Sequence, residues 1–511
     1  MIARWWVVGL LAAVPASAQS RVDVVIRGGS VYDGHGGPPR IADLGILGDR
    51  IVFIGDAPAG VVPGRLIDAR GLIVSPGFID PHTHTEDDAA NPLRRRLAPF
   101  LAQGVTTVVM GNDGGGTFEV GAARRRLSTG LGVNAVFLVG HGGIRRHVMG
   151  MADRAPTAAE LDSMRTLVAK GMAEGAIGLS TGLYYAPGSY AATEEVIELA
   201  KVASRFGGYY DSHIRDESSY TIGLLAAVDE VLRIGREASI PVHFAHIKAL
   251  GVDVWGKSDE VVARILAARA AGLRVTADQY PYNASGTSVG AALLPRWAEA
   301  GGRDSLLRRI GDPKIKEKLV KEMTENLRRR GGAGSLLVTE GRWKGQRLAA
   351  IATAMKVDSI SAALDIIKTG DAAVASFNMN ETDIDRFMAQ TFVVTGSDGS
   401  GGHPRKYGTF PRKIRRYALD RGVISLARAI EASSGQTAQI LGLTDRGTLA
   451  VGNYADIAVF DSTTIEDKST YEAPELPAAG IRYVLVNGRL AIDAGKPTPA
   501  LGGRALARRE R

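Results

Sequence analysis

The chain has 511 residues, of which 45% are apolar and 23% are charged, an ordinary globular composition long enough for one large barrel or two to three modules. It contains no cysteine, so disulfides and thiolate ligands are excluded, and any metal site must be built from histidine and carboxylate. The net charge of +8 comes from scattered basic residues. We interpret the short arginine runs at 94–96, 124–126 and 328–330 as solvated helix faces and expect no nucleic-acid partner.

The amino terminus has the pattern of a cleavable export signal. Arg4 supplies a positive charge, residues 5–14 form an apolar run, and residues 16–18 are small. The run is shorter than the roughly 20 residues that span a bilayer, and no later stretch is long and apolar enough to do so. We therefore expect a signal peptide at residues 1–18, a mature chain beginning near Gln19 without a membrane span, and a periplasmic or secreted location.

Strand-like segments lie near both ends of the remaining chain, separated by turns rich in Gly, Pro and Asp. They are predicted at residues 22–29, 51–55, 452–461 and 483–488. Two strand-rich ends around a long middle indicate one small β-sandwich domain, built from residues 19–73 and 448–511.

The middle of the chain, residues 74–447, alternates short apolar runs with helical patterns. The runs lie at residues 73–79, 105–110, 135–139, 175–179, 208–211, 242–245, 275–277 and 392–395. This alternation indicates an α/β fold with a parallel sheet, and eight strands is the number that closes a TIM (β/α)8 barrel. The stretch at about 283–390 is too long for an ordinary connection and predicts an inserted, lid-like subdomain with helices at 313–330 and 360–367.

The segment PGFIDPHTH at residues 76–84 carries a His-x-His pair after the first predicted barrel strand. Residues two apart on an extended strand point to the same side, so His82 and His84 can converge on one cation. Such a pair is often incidental when it stands alone. Other predicted strand ends, however, supply matching side chains.

His213 and His246 also end predicted strands, and Asp398 ends the last one. All of these ends face the same mouth of a barrel. Neutral imidazole is a usual zinc ligand, and a carboxylate can both ligate a cation and accept a proton from an attacking water. His243, three residues before His246, is interpreted as structural or as lying behind the ligands. The plainer alternative for Asp398 is a turn residue before Gly399.

Several longer motifs accompany these ligands. They are GHG at 140–142, VMG at 148–150, STGLYYAPG at 180–188, SHIRDE at 212–217, AHIK at 245–248, DQYPY at 278–282 and GHPRKYGTFPR at 402–412. With them the sequence resembles the amidohydrolase superfamily and, within it, the N-acyl-D-amino-acid deacylase (D-aminoacylase) family, over nearly all of the mature chain. The resemblance implies a hydrolase of carbon–nitrogen bonds other than peptide bonds.

The resemblance also implies how the metal ligands are arranged. His82, His84 and Asp398 would hold one position, and His213 and His246 the other, with a bridging ligand between them. We expect one or two divalent ions, Zn²⁺ first, with Mn²⁺ or Co²⁺ as alternatives.

The bridging position departs from the family pattern. Most of the family has a cysteine after a Gly-Asn pair, whereas here Asp113 follows Gly111 and Asn112. A carboxylate can bridge two cations as a thiolate does, but oxygen is the harder donor. We predict that Asp113 is a ligand, the alternative being a turn residue before three glycines. The fourth strand ends in Ser and Thr, so a carboxylated lysine is not expected there.

Substrate contacts are implied in the same way. By resemblance, Lys248, Tyr280 and Arg405 would grip the substrate carboxylate, a role that suits cation and phenol donors. For Arg405 an ion pair with a structural carboxylate is the open alternative. Ser285 or Ser288 would assist in holding the substrate carboxylate. Tyr184 and Tyr190 would form walls of an acyl pocket.

These observations predict an exported, metal-dependent enzyme that cleaves the amide bond of a small N-acyl-amino acid, with the D configuration implied by resemblance alone. Asp398 would take a proton from the attacking water and return it to the leaving nitrogen. One alternative keeps the chemistry but changes the substrate to a dipeptide, a cyclic amide or another small amide. A second, a non-catalytic binding protein, is disfavoured because every expected ligand position holds a residue able to coordinate.

Overall fold

The computed structural model describes residues 21–128 and 130–508. The predicted signal peptide at residues 1–18 lies outside the described residues. Within the described part of the chain, no helix combines the length and apolar character needed to cross a membrane.

Eight parallel strands form the central barrel, as the sequence predicts. They are β1 (Phe78–Asp80), β2 (Val105–Met110), β3 (Asn134–Gly140), β4 (Gly178–Gly182), β5 (Tyr209–His213), β6 (Val242–Phe244), β7 (Val275–Gln279) and β8 (Val393–Thr395), paired in that order. A bridge between Thr83 and Gly399, together with a hydrogen bond from the Asp398 amide to the His82 carbonyl (2.9 Å), joins β8 to β1. Most strands are buried on both faces, which explains their continuous apolar runs.

Helices surround the barrel and follow its strands. They are Glu86–Ala90, Ala98–Leu101, Val120–Leu127, His141–Met149, Ala158–Ala173, Thr193–Arg205, Leu224–Glu237, Ser258–Ala270, Glu381–Met388, Arg405–Arg412 with its π-helical continuation Lys413–Asp420, Leu426–Ser433 and Gly435–Leu441. Leu224–Glu237 illustrates the pattern, since its stripe of Leu, Ala, Val and Ile side chains is buried. Apolar side chains from these helices and the strands share one large core.

The two ends of the described chain form one sheet of nine strands, which confirms a β domain built from both termini. Its strands are Arg21–Val31, Arg40–Leu47, Arg50–Gly55, Val62–Asp68, Ile73–Pro76, Ile457–Phe460, Ile481–Val486, Arg489–Asp493 and Lys496–Pro497. Ile73–Pro76 lies centrally, parallel to Arg21–Val31 and antiparallel to Ile457–Phe460. Leu44 and Ile46 from one end pack in the same core as Ile457 and Val459 from the other.

One predicted strand proves to be two. The run at 73–79 was expected to be the first barrel strand, but Ile73–Pro76 belongs to the terminal sheet and only Phe78–Asp80 enters the barrel. Gly77 separates them, and a Cβ atom there would lie 2.3 Å from Thr106. The prediction of a single strand is therefore wrong, because continuous apolar character does not reveal a change of sheet.

A subdomain with its own apolar core is inserted between β7 and β8. It contains a three-stranded antiparallel sheet (Ala284–Ser288, Leu336–Val338, Ala373–Phe377) and the helices Val289–Leu293, Arg303–Gly311, Pro313–Arg329, Leu348–Met355 and Ser359–Lys368. Glu381–Met388, which was predicted inside the insertion, packs against the barrel helix Ser258–Ala270 instead.

Candidate metal centre and active-site cavity

A cavity of about 740 Å³ opens at the carboxyl ends of the barrel strands and is also lined by the inserted subdomain. In a TIM barrel, the residues after each strand meet at this face, so side chains that are far apart in sequence converge here. The predicted ligands His84, Asp113, His213, His246 and Asp398 line the cavity. His82 is fully buried behind them.

Asp113 lies at the centre of two overlapping clusters. His82, His84, Asp113 and Asp398 offer ligand atoms within 4.8 Å of one another, and so do Asp113, His213 and His246. Asp113 Oδ1 is 3.4 Å from His82 Nε2 and 3.5 Å from His246 Nε2. Its Oδ2 is 3.5 Å from His84 Nε2 and 3.6 Å from His213 Nδ1. The structure therefore brings the six predicted ligands together, with Asp113 shared by both groups.

Three of these residues occupy a backbone conformation that side chains other than glycine seldom adopt. The φ angles are 54° at Asp113, 35° at His246 and 48° at Asp398. Such conformations persist only where the surrounding structure enforces them, and they cluster at functional sites.

The buried polar atoms of the cluster fit a divalent cation. His82 Nε2, both ring nitrogens of His213 and Asp113 Oδ1 are buried without a hydrogen-bond partner, although buried polar atoms are normally paired. Burial raises the pKa of Asp113, but the charges of His82, His246 and His213 outweigh it and hold that pKa well below its usual range. Burial lowers the pKa of His84, yet its bonds to Asp113 and Asp398 raise it to about 9. A cation would replace the protons that these carboxylates attract.

The donor set consists of imidazole nitrogens and carboxylate oxygens without sulfur, which suits Zn²⁺ and also Mn²⁺ or Co²⁺. His82, His84 and Asp398 can hold one ion, His213 and His246 a second, and Asp113 can touch both. His243 does not join them: its ring bonds Asp278 (3.0 Å) and Thr276 (2.8 Å).

The sequence did not single out Glu217, which lies directly behind two ligands. Its Oε1 accepts a 2.5 Å hydrogen bond from Lys248 Nζ and lies 3.2 Å from His246 Nδ1. Its Oε2 is 3.9 Å from His213 Nε2. Glu217 can therefore orient both imidazoles, a common task for the outer groups of metal sites. Only its place four residues after His213 in the SHIRDE motif hinted at this role.

Arg405 and Tyr280 offer free donors beside the ligands. Arg405 Nη1 is 2.8 Å from Asp398 Oδ2, but its N–H bonds do not point at that oxygen, so Nε and Nη1 have no hydrogen-bond partner among the described residues. The Tyr280 hydroxyl is likewise unpaired and buried, and the Arg405 guanidinium lies 4.7 Å above its ring. Lys248, by contrast, is already engaged by Glu217.

The two serines differ in role. Ser285 exchanges hydrogen bonds with Asn378, at 3.1 to 3.3 Å, and lines the cavity. Ser288 also lines the cavity, but its hydroxyl caps the helix Val289–Leu293 by accepting from Ala291 N.

The tyrosines after β4 that line the cavity are not the two that were predicted to do so. Tyr184 lines the cavity as expected, and so does Tyr185, for which the sequence carries no distinguishing signal. Tyr185 packs 4.8 Å from the His213 ring. Tyr190 lies outside the lining among the described residues, because its hydroxyl donates to the Arg296 carbonyl of the insertion (3.1 Å). The structure therefore does not place Tyr190 as an acyl-pocket wall.

Known proteins are similar to this chain in sequence and in structure. A D-aminoacylase and an N-acyl-D-glutamate deacylase, both from Alcaligenes xylosoxydans xylosoxydans, are each 36% identical, covering 95% and 96% of this chain and 98% and 97% of their own. A solved D-aminoacylase superimposes with a TM-score of 0.82 at 34% identity, covering 95% of this chain and 100% of that one.

An N-acyl-D-glutamate deacylase from Bordetella bronchiseptica, solved with zinc and a phosphonate mimic of the tetrahedral intermediate, has a TM-score of 0.82 at 32% identity and covers 96% of this chain and 100% of that one. Residues 65–492 match the sequence pattern of the amidohydrolase family. The chain therefore belongs to the amidohydrolase family.

Proposed function

We propose that this metal-dependent hydrolase of carbon–nitrogen bonds other than peptide bonds removes the acyl group of N-acyl-D-amino acids. The observation that carries the proposal is the juxtaposition of the two clusters sharing Asp113 with the unpaired donors of Arg405 and Tyr280. The clusters suit amide hydrolysis, and the donors suit a carboxylate next to the scissile bond. The D configuration is supported by the relatives, which act on N-acyl-D-amino acids.

The side chains of this cavity divide the work of the reaction. When bound, a divalent cation would polarise the scissile carbonyl and make the attacking water more acidic. Burial raises the pKa of Asp398, but the adjacent Arg405 guanidinium outweighs it and keeps the carboxylate ionised at neutral pH. Asp398 accepts a proton from the attacking water and returns it to the leaving nitrogen. Tyr280 and Arg405 hold the substrate carboxylate and so fix the scissile bond beside Asp398.

The proposal is tested by metal analysis and an amide screen on one preparation. N-acetyl-D-amino acids, their L isomers, dipeptides and cyclic amides are compared before and after removal of metal by a chelator. We expect hydrolysis of the D isomers, loss on chelation, and recovery with Zn²⁺, Co²⁺ or Mn²⁺. Exclusive turnover of L isomers, dipeptides or cyclic amides would contradict the substrate assignment, and undiminished turnover after complete metal removal would contradict the mechanism.

Export to the periplasm or outside the cell is the second part of the proposal, and it rests on the sequence of residues 1–18. We expect the mature protein to begin near Gln19 and to appear in the periplasmic or extracellular fraction. Mass spectrometry of the intact protein from a bacterial host checks this. An uncleaved chain retained in the cytoplasm would contradict it.

A further inference from the structure

Arg330 is a buried cation that lines the active-site cavity and has no carboxylate partner in residues 21–128 and 130–508. Its side chain is 2% exposed. The two other buried cations of the lining each lie beside a carboxylate: Lys248 Nζ is 2.5 Å from Glu217 Oε1, and Arg405 Nη1 is 2.8 Å from Asp398 Oδ2. Arg330 is therefore the exception among the buried cations of this cavity.

In the part of the chain that the structure describes, the groups that contact the Arg330 guanidinium are all neutral. Nε donates to the Ala292 carbonyl (3.1 Å), Nη2 to the Tyr184 hydroxyl (3.0 Å) and Nη1 to Ser376 Oγ (3.3 Å). The Tyr220 ring lies 5.5 Å away. A guanidinium has five N–H donors, so these contacts leave some of them unused.

Arg330 is also connected to Ser285, which lines the same cavity. Hydrogen bonding favours turning the Asn378 side-chain amide, after which its oxygen accepts from Arg330 Nη1 at 3.2 Å and from Ser285 Oγ at 3.1 Å. This network fixes the guanidinium in one orientation. A guanidinium that is fixed in place by neutral partners only, with one N–H group left over, is prepared for a ligand rather than free to reach solvent.

The energetics favour an anionic ligand. A buried charge is costly unless it is paired, and neutral hydrogen bonds compensate only part of the lost hydration. Because the guanidinium borders the substrate cavity, the missing negative charge can come from the substrate. The bonds described above use four of its five N–H groups, and the remaining N–H of Nη2 can donate to an oxygen of a carboxylate.

We propose that Arg330 binds a second carboxylate of the substrate, so that the preferred substrates are N-acyl-D-amino acids carrying a further negative charge. The proposed function assigns the first carboxylate to Arg405 and Tyr280, and this inference rests on that function. The further charge has two chemical sources, an acidic amino-acid side chain or a dicarboxylic acyl group. Arg330 follows the helix Pro313–Arg329, so the inserted subdomain supplies this specificity.

Matched substrate pairs test the wild-type protein. N-acetyl-D-glutamate is compared with N-acetyl-D-glutamine, and N-succinyl-D-leucine with its succinyl monoamide. Because a site built for a polar group rejects analogues that leave it unpaired, we expect kcat/KM to favour the charged member of one pair by about 100-fold. The pair that shows the preference identifies the source of the charge. Equal turnover within both pairs overturns the inference.

Variants of Arg330 test whether this side chain causes the preference for the charged substrate. We expect Arg330→Gln to lose about 100-fold in kcat/KM on the preferred charged substrate, mostly through KM, and less than about threefold on its neutral partner. Arg330→Lys should recover part of the loss. Arg328→Gln removes an exposed charge two residues away and should leave both values unchanged. Equal losses on the charged and neutral substrates would show a purely structural role and overturn the inference.

Inhibition of the wild type covers the case in which the Arg330 variants do not fold. We expect glutarate to inhibit at least about tenfold more strongly than butyrate, since only glutarate has a second carboxylate. Equal inhibition overturns the inference. Hydrolysis of neutral N-acyl-D-amino acids without charge preference would refute only the role of Arg330, whereas failure to hydrolyse any N-acyl-D-amino acid would refute the proposed function itself.

Discussion

Clusters of polar side chains are buried at both ends of the barrel, but the two clusters differ in how completely their atoms are hydrogen-bonded. At the carboxyl ends of the strands, histidine and aspartate atoms are buried without partners. At the amino end of β3, Asn134 belongs to a cluster with Asp456, Arg446 and Asn487 from the carboxyl-terminal part of the chain. We call the cluster with unpaired atoms, at the carboxyl ends of the strands, the open cluster, and its end of the barrel the open end. The cluster around Asn134 is the closed cluster, and its end of the barrel is the closed end.

Every member of the closed cluster is hydrogen-bonded to another. Asp456 accepts from Asn134 Nδ2 (3.0 Å), from Arg446, and from the Asn487 amide (2.7 Å). Arg446 also donates to Asn487 Oδ1 (2.7 Å), and Asn487 donates to Asn134 Oδ1 (2.8 Å). This cluster joins the barrel to the terminal sheet, and in the ranges that the structure describes none of its buried side-chain atoms lacks a hydrogen-bond partner.

This difference helps to distinguish buried polar residues that serve the activity from buried polar residues that stabilise the fold. Both clusters are buried and both contain ionisable side chains, so neither property by itself identifies the active site. A concentration of unsatisfied histidine and aspartate atoms does, because several such costs in one place are retained only where a ligand removes them. Substitutions at the open end should therefore affect activity, and substitutions at the closed end should affect stability.

The largest expected effect is that of Asp398→Asn at the open end. The amide preserves the shape of the side chain but cannot accept the proton, so kcat should fall by about 10²–10⁴-fold. Steady-state kinetics and circular dichroism measure turnover and folding in the same sample. Asp253→Asn, which breaks an exposed ion pair with Arg328, is the control and should retain full activity. Near-normal turnover of Asp398→Asn would remove Asp398 from the reaction.

At the closed end, Asp456→Asn should lower the free energy of unfolding by about 3–5 kcal/mol, since it leaves the buried Arg446 without its counter-charge. Urea unfolding measures the loss, and activity per folded molecule should not change. Asp493→Asn makes the same substitution in a more exposed pair with Arg65, and should cost about 1 kcal/mol or less. Equal losses in the two variants would contradict the proposed difference between buried and exposed pairs.

The smallest expected effect is on metal affinity at the open end, where Glu217 lies behind two of the candidate ligands. Glu217→Gln should weaken binding of an ion at His213 and His246 by about 10–100-fold, because the imidazoles lose their orienting carboxylate. Titration of metal-free protein with Zn²⁺ measures this affinity directly.

Glu230→Gln is the matched control, since Glu230 is also buried and pairs with Arg215 rather than with a ligand. Its metal affinity should equal that of the wild type. If both variants bind zinc normally, Glu217 is not a positioning residue.

The sequence predicts most of the barrel and the six candidate ligands that the structure brings together, because parallel strands leave apolar runs and the barrel brings their carboxyl ends together. It does not predict which sheet receives a strand. The apolar run at 73–79 looks continuous, and the change of sheet at Gly77 depends on contact with Thr106, which only the folded chain provides.

The positions of side chains that lie just beyond the end of a helix or strand are harder to predict from the sequence. The run at 328–330 was interpreted as a solvated helix face, but only Arg328 is largely exposed. Arg330 comes after the helix ends at Arg329, and its side chain is buried. Glu217 lies in an irregular segment after β5, where no periodicity indicates the direction of a side chain. Tertiary contacts decide both positions, and no local pattern records them.

The passage from Pro76 through Gly77 to Phe78 has a consequence for engineering. One residue connects the centre of the terminal sheet to the first barrel strand, and the Gly77 amide is itself held by the Asp456 carbonyl (2.8 Å). There is no linker at which the chain could be cut. We therefore expect a protein truncated to the barrel to lose the anchor of β1, and with it the alignment of His82 and His84, so that neither truncation nor fusion at this point preserves the catalytic unit.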